Sequence, residues 1–155
     1  MEIKKCVKEA FSVIGKEGST DDGDGFIQKL WQNANAHFRE IEPLVKRDDK
    51  GLPVGFWGAM SDFSRSFAPW ENFKKGLYLA GAEANDNAEA PDNWTKWTIP
   101  SFEYLFVKVE NEIGETFSYM INYLKENNFK LAGAVHDFIC PENGQQYMYF
   151  PIKRL

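Results

Sequence analysis

Six residues, Gly58-Ala59-Met60-Ser61-Asp62-Phe63, return with two changes as Gly133-Ala134-Val135-His136-Asp137-Phe138. Each copy is followed by a polar loop and an apolar run, residues 75–83 and 145–153, and preceded by a stretch of helical periodicity. The repeat predicts a duplicated unit, each copy a strand, a helix and two further strands. Two such copies, about 1–84 and 94–155, make one α+β domain whose antiparallel sheet is covered by two helices on one face. Matching halves of an open sheet meet along a pseudo-twofold line, and the crevice there is the expected functional site.

The bulk of the chain excludes several classes. Apolar content of 43% and charged content of 26% over 155 residues are those of an ordinary globular protein. A net charge of −5, with no basic run longer than pairs such as Lys74-Lys75, disfavours direct contact with nucleic acid. No apolar stretch approaches the ~18 residues of a membrane span, and the N-terminus lacks a signal-peptide core. Cys6 and Cys140 have no metal-ligand spacing and are too few for a disulfide framework. The expectation is a cytoplasmic protein with no metal and no cofactor. The loop 18–25 looks like an EF-hand fragment but lacks the closing carboxylate, so Asp22 or Asp24 reads as a cap on the next helix.

Within the first half, Ile27, Leu30, Trp31, Ala34, Phe38 and Ile41 form one helical stripe over 26–42, limited by Pro43. Strands are expected at 54–63 and 77–84. Between them the loop 64–74 carries Phe67, Trp70 and Phe73, which either plug the end of the core or rim a binding crevice. In the second half a helix spans about 115–127, with Phe117, Met120, Ile121 and Leu124 inward. Strands follow at 131–139 and 145–153, joined through Asn143-Gly144, a hairpin signal.

Two strands of the second half separate their side chains by chemistry. Over 102–110, Phe102, Tyr104, Phe106 and Lys108 alternate with Leu105, Val107 and Val109. Over 145–153, Tyr147 and Tyr149 alternate with Met148, Phe150 and Ile152. Successive side chains point to opposite faces of a strand. The aliphatic face therefore suits a helix-covered core, and the aromatic face suits a surface that water reaches only partly.

The ordered set of Gly76-Leu77-Tyr78-Leu79-Ala80-Gly81-Ala82-Glu83, Ile99-Pro100-Ser101-Phe102-Glu103-Tyr104-Leu105-Phe106, His136-Asp137-Phe138 and Tyr149-Phe150-Pro151-Ile152 resembles the GyrI-like superfamily. That group includes the AraC-type effector-binding domains of bacterial transcription activators, and the resemblance runs nearly the whole chain. It implies two pseudo-symmetric strand-helix-strand-strand units and a groove for amphipathic or cationic aromatic ligands. In multidrug-sensing members an acid sits in the strand after the second helix, the place of Asp137. A second acid often precedes the last-strand motif, where this chain has Tyr147.

The candidate groove walls are Trp57, Phe102, Tyr104, Tyr147 and Tyr149, with Trp97 and Glu83 as further members. Aromatic rings offer apolar area at low entropy cost and attract cations. His136 and Asp137 are the candidate polar elements, and strand parity allows only one of them into the groove. The expected function is a stand-alone effector-binding module with a small-molecule ligand and no direct nucleic-acid contact. With no basic helix, transcriptional control would need a separate DNA-binding or regulatory partner. Two alternatives stay open: a hydrolase of reactive small molecules using Asp137 or Glu83 as base, and a gyrase-inhibitor-like interaction role.

Overall fold

The computed structural model describes residues 1–155. Eight strands and two α-helices follow in the order β1 (Ile3–Lys8), β2 (Phe11–Ser19), α1 (Phe26–Ala36), β3 (Phe56–Ser61), β4 (Leu77–Ala84), β5 (Thr95–Ile99), β6 (Phe102–Lys108), α2 (Ile113–Glu126), β7 (His136–Ile139) and β8 (Gln146–Arg154). All eight strands join one sheet in the order β1-β6-β8-β7-β3-β4-β2-β5, and every pairing is antiparallel. The order is symmetric about the β7–β3 seam. Strands β6-β8-β7 on one side answer β2-β4-β3 on the other, with β1 and β5 as matching outer strands. The repeated hexapeptides lie at that seam.

The opening stretch, which the repeat predicts as a single strand, is two strands, β1 and β2. Its two-residue link has a large consequence. Strands β1 and β2 are joined only by Glu9 and Ala10, yet five strands separate them in the sheet. In a flat sheet they would stand ~29 Å apart, six spacings of ~4.8 Å. Three consecutive Cα steps span at most ~11 Å. The same holds for β5 and β6, joined by Pro100 and Ser101 across five intervening strands. The sheet must therefore curl until its ends approach, and the Ala10 N–H donates to Ser101 Oγ at 2.9 Å between the two links.

Strand parity then sorts the cores. The concave face gathers Phe11, Trp57, Leu79, Trp97, Phe102 and Tyr104 into a closed aromatic core. On the convex face, α1 covers Ile14, Ala82 and Ala84, while α2 covers Leu105, Val107, Met148 and Phe150. The separation of aliphatic from aromatic faces is as read from the strands. Its consequence is different: curling turns the aromatic side into an interior, so Phe102 and Tyr104 are 0% exposed.

Three local features also differ from expectation. Helix α1 ends at Ala36, since Asn33 and Asn35 are weak helix formers, and two short 3₁₀ turns return Phe38 and Ile41 to the core. Asp22 accepts from the Ser19 N–H in a capping box on a 3₁₀ turn, whereas α1 starts after Gly25 without a side-chain cap. Strand β7 begins at His136, because the Ala134 N–H donates to Phe67 of the aromatic loop instead of to a strand, and the Ala132 backbone bonds β8 only at Pro151.

Candidate functional site

A cavity of about 820 Å³ opens on the convex face between the two helices, above the pseudo-twofold seam. Its size falls within the ~300–1,000 Å³ of small-molecule sites. Helix α1 contributes Ile27, Gln28, Trp31 and Asn35; the first turns of α2 contribute Ile113, Gly114 and Phe117. The floor is Met60, Tyr78, Asp137, Ile139, Gln146 and Met148 from the four central strands. One end is closed by Pro69, Trp70 and Phe73 of the aromatic loop, with Phe73 edge-on to Phe117 at 5.4 Å. That loop does both things expected of it, because Phe67 turns the other way and packs edge-on against Trp97 in the concave core.

Asp137 is the only charged side chain lining the cavity. Tyr78 on β4 reaches across β3 and donates its hydroxyl to Asp137 Oδ2 at 3.1 Å. The strand it crosses presents Gly58, which pairs with Asp137, and a Cβ there would collide with the Tyr78 hydroxyl. Trp31 of α1 in turn donates its indole N–H to the same hydroxyl at 3.1 Å. Oδ1 of Asp137 is buried and has no partner. Burial pushes the Asp137 carboxyl up to about 6, against the lesser opposing pull of the Tyr78 hydrogen bond. Desolvation and coulombic repulsion from Asp137 hold the Tyr78 phenol well above its ordinary value.

A family model of the GyrI-like small molecule binding domain matches residues 1–153. The chain belongs to that family. Among solved structures, this GyrI-like domain is similar to SAV2435 bound to tetraphenylphosphonium, at a TM-score of 0.68 and 13% identity, covering 99% of this chain and 94% of that one. The EcmrR–DNA complex superposes with a TM-score of 0.67 at 11% identity, covering 99% of this chain and 58% of that one. A hydrolase from Listeria innocua gives 0.58 at 9% identity, covering 98% and 92%. No curated protein matches the sequence.

The GyrI-like domain distributes the sequence candidates unevenly. Of the pair on β7, Asp137 faces the cavity and His136 faces the concave core, fully buried. Met60 N–H donates to His136 Nδ1 at 3.0 Å, which leaves the hydrogen on Nε2, buried and without a partner. Burial pulls the imidazole down to about 3, so it is neutral.

The expected groove walls stand on the far side of the sheet from the cavity. Trp57 packs among Phe11, Phe138 and Tyr149 at centroid distances of 4.9, 4.7 and 5.2 Å. Phe102 and Tyr104 lie in the same core, and the Tyr104 hydroxyl is buried without a partner. Tyr149 is half-buried and stacked on Phe106 at 4.9 Å; Tyr147, also half-buried, meets Phe106 and Phe138. Glu83 is engaged by Trp57 Nε1 at 3.1 Å and by Lys8 at 3.2 Å. Trp97 donates to Glu17 Oε1 at 2.8 Å. None of these seven side chains lines the cavity, and neither does His136.

Two cavity residues, Tyr78 and Trp31, carry no sign of a site in the sequence, and Gly58 beneath the Tyr78 hydroxyl is a third position outside the sequence candidates. Every residue of β4 is buried, so alternation gave no sign that Tyr78 faced a site. Trp31 reads as one more member of an apolar stripe. The glycine shared by both hexapeptides was the available signal.

Proposed function

We propose that this chain binds amphipathic organic cations in the cavity between α1 and α2, with Asp137 as counter-ion. The observation that carries the reading is Asp137: it lines a cavity that no other charged side chain lines, and its Oδ1 is buried and unpartnered. A desolvated carboxylate oxygen without a donor is costly. A cation placed against it removes that cost. Trp31, Trp70, Phe73 and Phe117 add apolar area and ring quadrupoles for the rest of the ligand. Tetraphenylphosphonium, bound in the SAV2435 structure, is a ligand of this class. In this reading the eight remaining candidates serve the concave side of the sheet, with Trp57, Trp97, Phe102 and Tyr104 in its core, and residues 1–155 act as one domain in the cytoplasm. A transcriptional output would pass through a separate DNA-binding or regulatory protein, because α1 and α2 both pack on the sheet and neither is basic.

Calorimetric titration with tetraphenylphosphonium and with neutral triphenylphosphine oxide tests it. Asp137→Asn is expected to weaken the cation by at least about tenfold, the equivalent of ~1.4 kcal/mol, and to leave the neutral compound within about twofold. Equal effects on both would make Asp137 a structural residue.

The raised Asp137 carboxyl supports a second reading. A carboxylate titrating near 6, with one unpartnered oxygen on a residue that lines a largely apolar cavity, can take a proton from water attacking a reactive small molecule. The similar fold of the Listeria innocua hydrolase is compatible with it. Under this reading hydrolysis of an electrophilic substrate rises with pH through about 6 and is lost in Asp137→Asn; a flat pH profile sinks it.

A further inference from the structure

A second cavity, about 450 Å³, lies beside the first under the C-terminal half of α1. Phe56 and Gly81 form its floor, and Ala34, Phe38 and Ile41 close it. No charged side chain lines it. Trp31, Asn35 and Ile139 line both cavities and so form the partition between them.

We propose that the two cavities are head and tail subsites for one amphiphile, with a cationic head against Asp137 and an aliphatic tail passing Trp31 into the space under α1. The tail subsite rests on the reading of the first cavity as a cation site. Two further observations support it. Six of the eight side chains around the second cavity are apolar, and one of the others is glycine, so only Asn35 offers a free polar group to an occupant. The partition is also conditional. Trp31 is half-buried, belongs to no core cluster, and donates to the hydroxyl that also serves Asp137. A head group that draws the Asp137 carboxylate toward itself loosens the Tyr78 hydroxyl that fixes the indole, and rotation about χ1 and χ2 then carries the ring toward solvent. Binding of the head and opening of the tail space are linked through the Tyr78 hydroxyl, which bonds both Asp137 and Trp31.

The test is a series of n-alkyltrimethylammonium ions, butyl to dodecyl, titrated below their micelle concentrations into wild type, Asp137→Asn and Ala34→Leu. Wild-type affinity is expected to climb roughly threefold to fourfold per methylene once the chain passes the partition. Ala34→Leu projects three further carbons into the tail space and obstructs it, so it lowers dodecyl affinity at least about tenfold and leaves butyl within about twofold. A chain-length gain that survives Ala34→Leu overturns the tail subsite. If Asp137→Asn weakens every member while Ala34→Leu weakens none, the head site stands and the tail site falls. If Asp137→Asn changes nothing at any length, the cation reading itself fails. Should the leucine variant not fold, the wild-type complex with 12-bromododecyltrimethylammonium decides. Anomalous scattering from bromine beside Phe56 supports the proposal, and bromine beside Phe73 overturns it.

Discussion

His136 and Asp137 are consecutive on β7, yet one is sealed in the concave core and the other faces the cavity between the helices. Burial shifts both in the direction that favours their neutral forms, and the consequences for stability have opposite sign. Asp137 titrates near 6 in the fold and near 3.8 in an unfolded chain, so the folded state holds its proton more tightly. Its contribution, about 3 kcal/mol, is complete below pH 3.8 and lost as pH rises through about 6. His136 titrates near 3 in the fold and near 6.5 unfolded, so its contribution is complete above 6.5 and lost as pH falls toward 3. Between pH 4 and 6 the two slopes cancel. Relative to wild type, Asp137→Asn is therefore expected to gain about 1.4 kcal/mol per pH unit over that window. Urea denaturation at pH 4.5, 5.0 and 5.5 measures it, and a pH-independent difference would show that Asp137 is not buried as described.

Tyr104 carries a hydroxyl with no partner inside a closed core. Desolvation is the main reason its phenol is raised above the ordinary value. Removing the oxygen and keeping the ring removes an unpaired polar group without opening a large cavity. Tyr104→Phe is expected to stabilise the fold by about 1 kcal/mol or more. Tyr104→Ala is expected to cost about 3–5 kcal/mol. Thermal or urea unfolding of the pair reads both signs, and an alanine variant as stable as wild type would mean that the ring faces water.

What the sequence displayed was periodicity, and periodicity is what it predicted well. The duplication, the two helices, both hairpin halves and the segregation of Leu105 and Val107 from Tyr104 and Phe106 all follow from local pattern. The curling of the sheet depends on which strands the two-residue links Glu9-Ala10 and Pro100-Ser101 connect, and that is a property of strand order. Without it, an aromatic face reads as an open trough, when it is an interior. Asp62 and Asp137 occupy equal places in the repeat but not in the fold. Asp62 accepts N–H groups from Ser66 and Ala68 to close its own loop, and those bonds, with the Ser61 and Ser64 hydroxyls, outweigh desolvation and hold its carboxyl below the usual range. One copy of the motif closes a turn and the other lines the cavity.

Phe73 takes φ of 59°, a left-handed conformation that a bulky side chain adopts at a cost, and its ring lines the cavity while remaining 46% exposed. Arg65, Phe67 and Asn72 in the same loop are also left-handed. The usual order of alanine over glycine is expected to reverse here. Phe73→Gly should be more stable than Phe73→Ala by about 1 kcal/mol, while both lose affinity for tetraphenylphosphonium by a similar factor. Parallel unfolding and binding curves for the two variants check this. A glycine variant less stable than the alanine one would show that the loop is not held in that conformation.

Gly58 is the point at which the repeat and the site meet. Tyr78 must pass over β3 to reach Asp137 on β7, two strand spacings or ~10 Å away. It passes at the one position of β3 where a side chain would strike its hydroxyl, and where the Asp137 Cβ already lies 3.2 Å from the space a Cβ would take. Gly58→Ala is therefore expected to displace the phenol and strip Asp137 of its donor. It should also release Trp31 from its acceptor, at a cost of about 1–3 kcal/mol from overpacking alone. The role can be separated from a general intolerance of alanine in the strand. In a Tyr78→Leu background no hydroxyl crosses β3, and the same substitution is expected to cost less than about 1 kcal/mol, a coupling that a double-mutant cycle measures. Equal costs in both backgrounds would place the reason for the glycine elsewhere in β3.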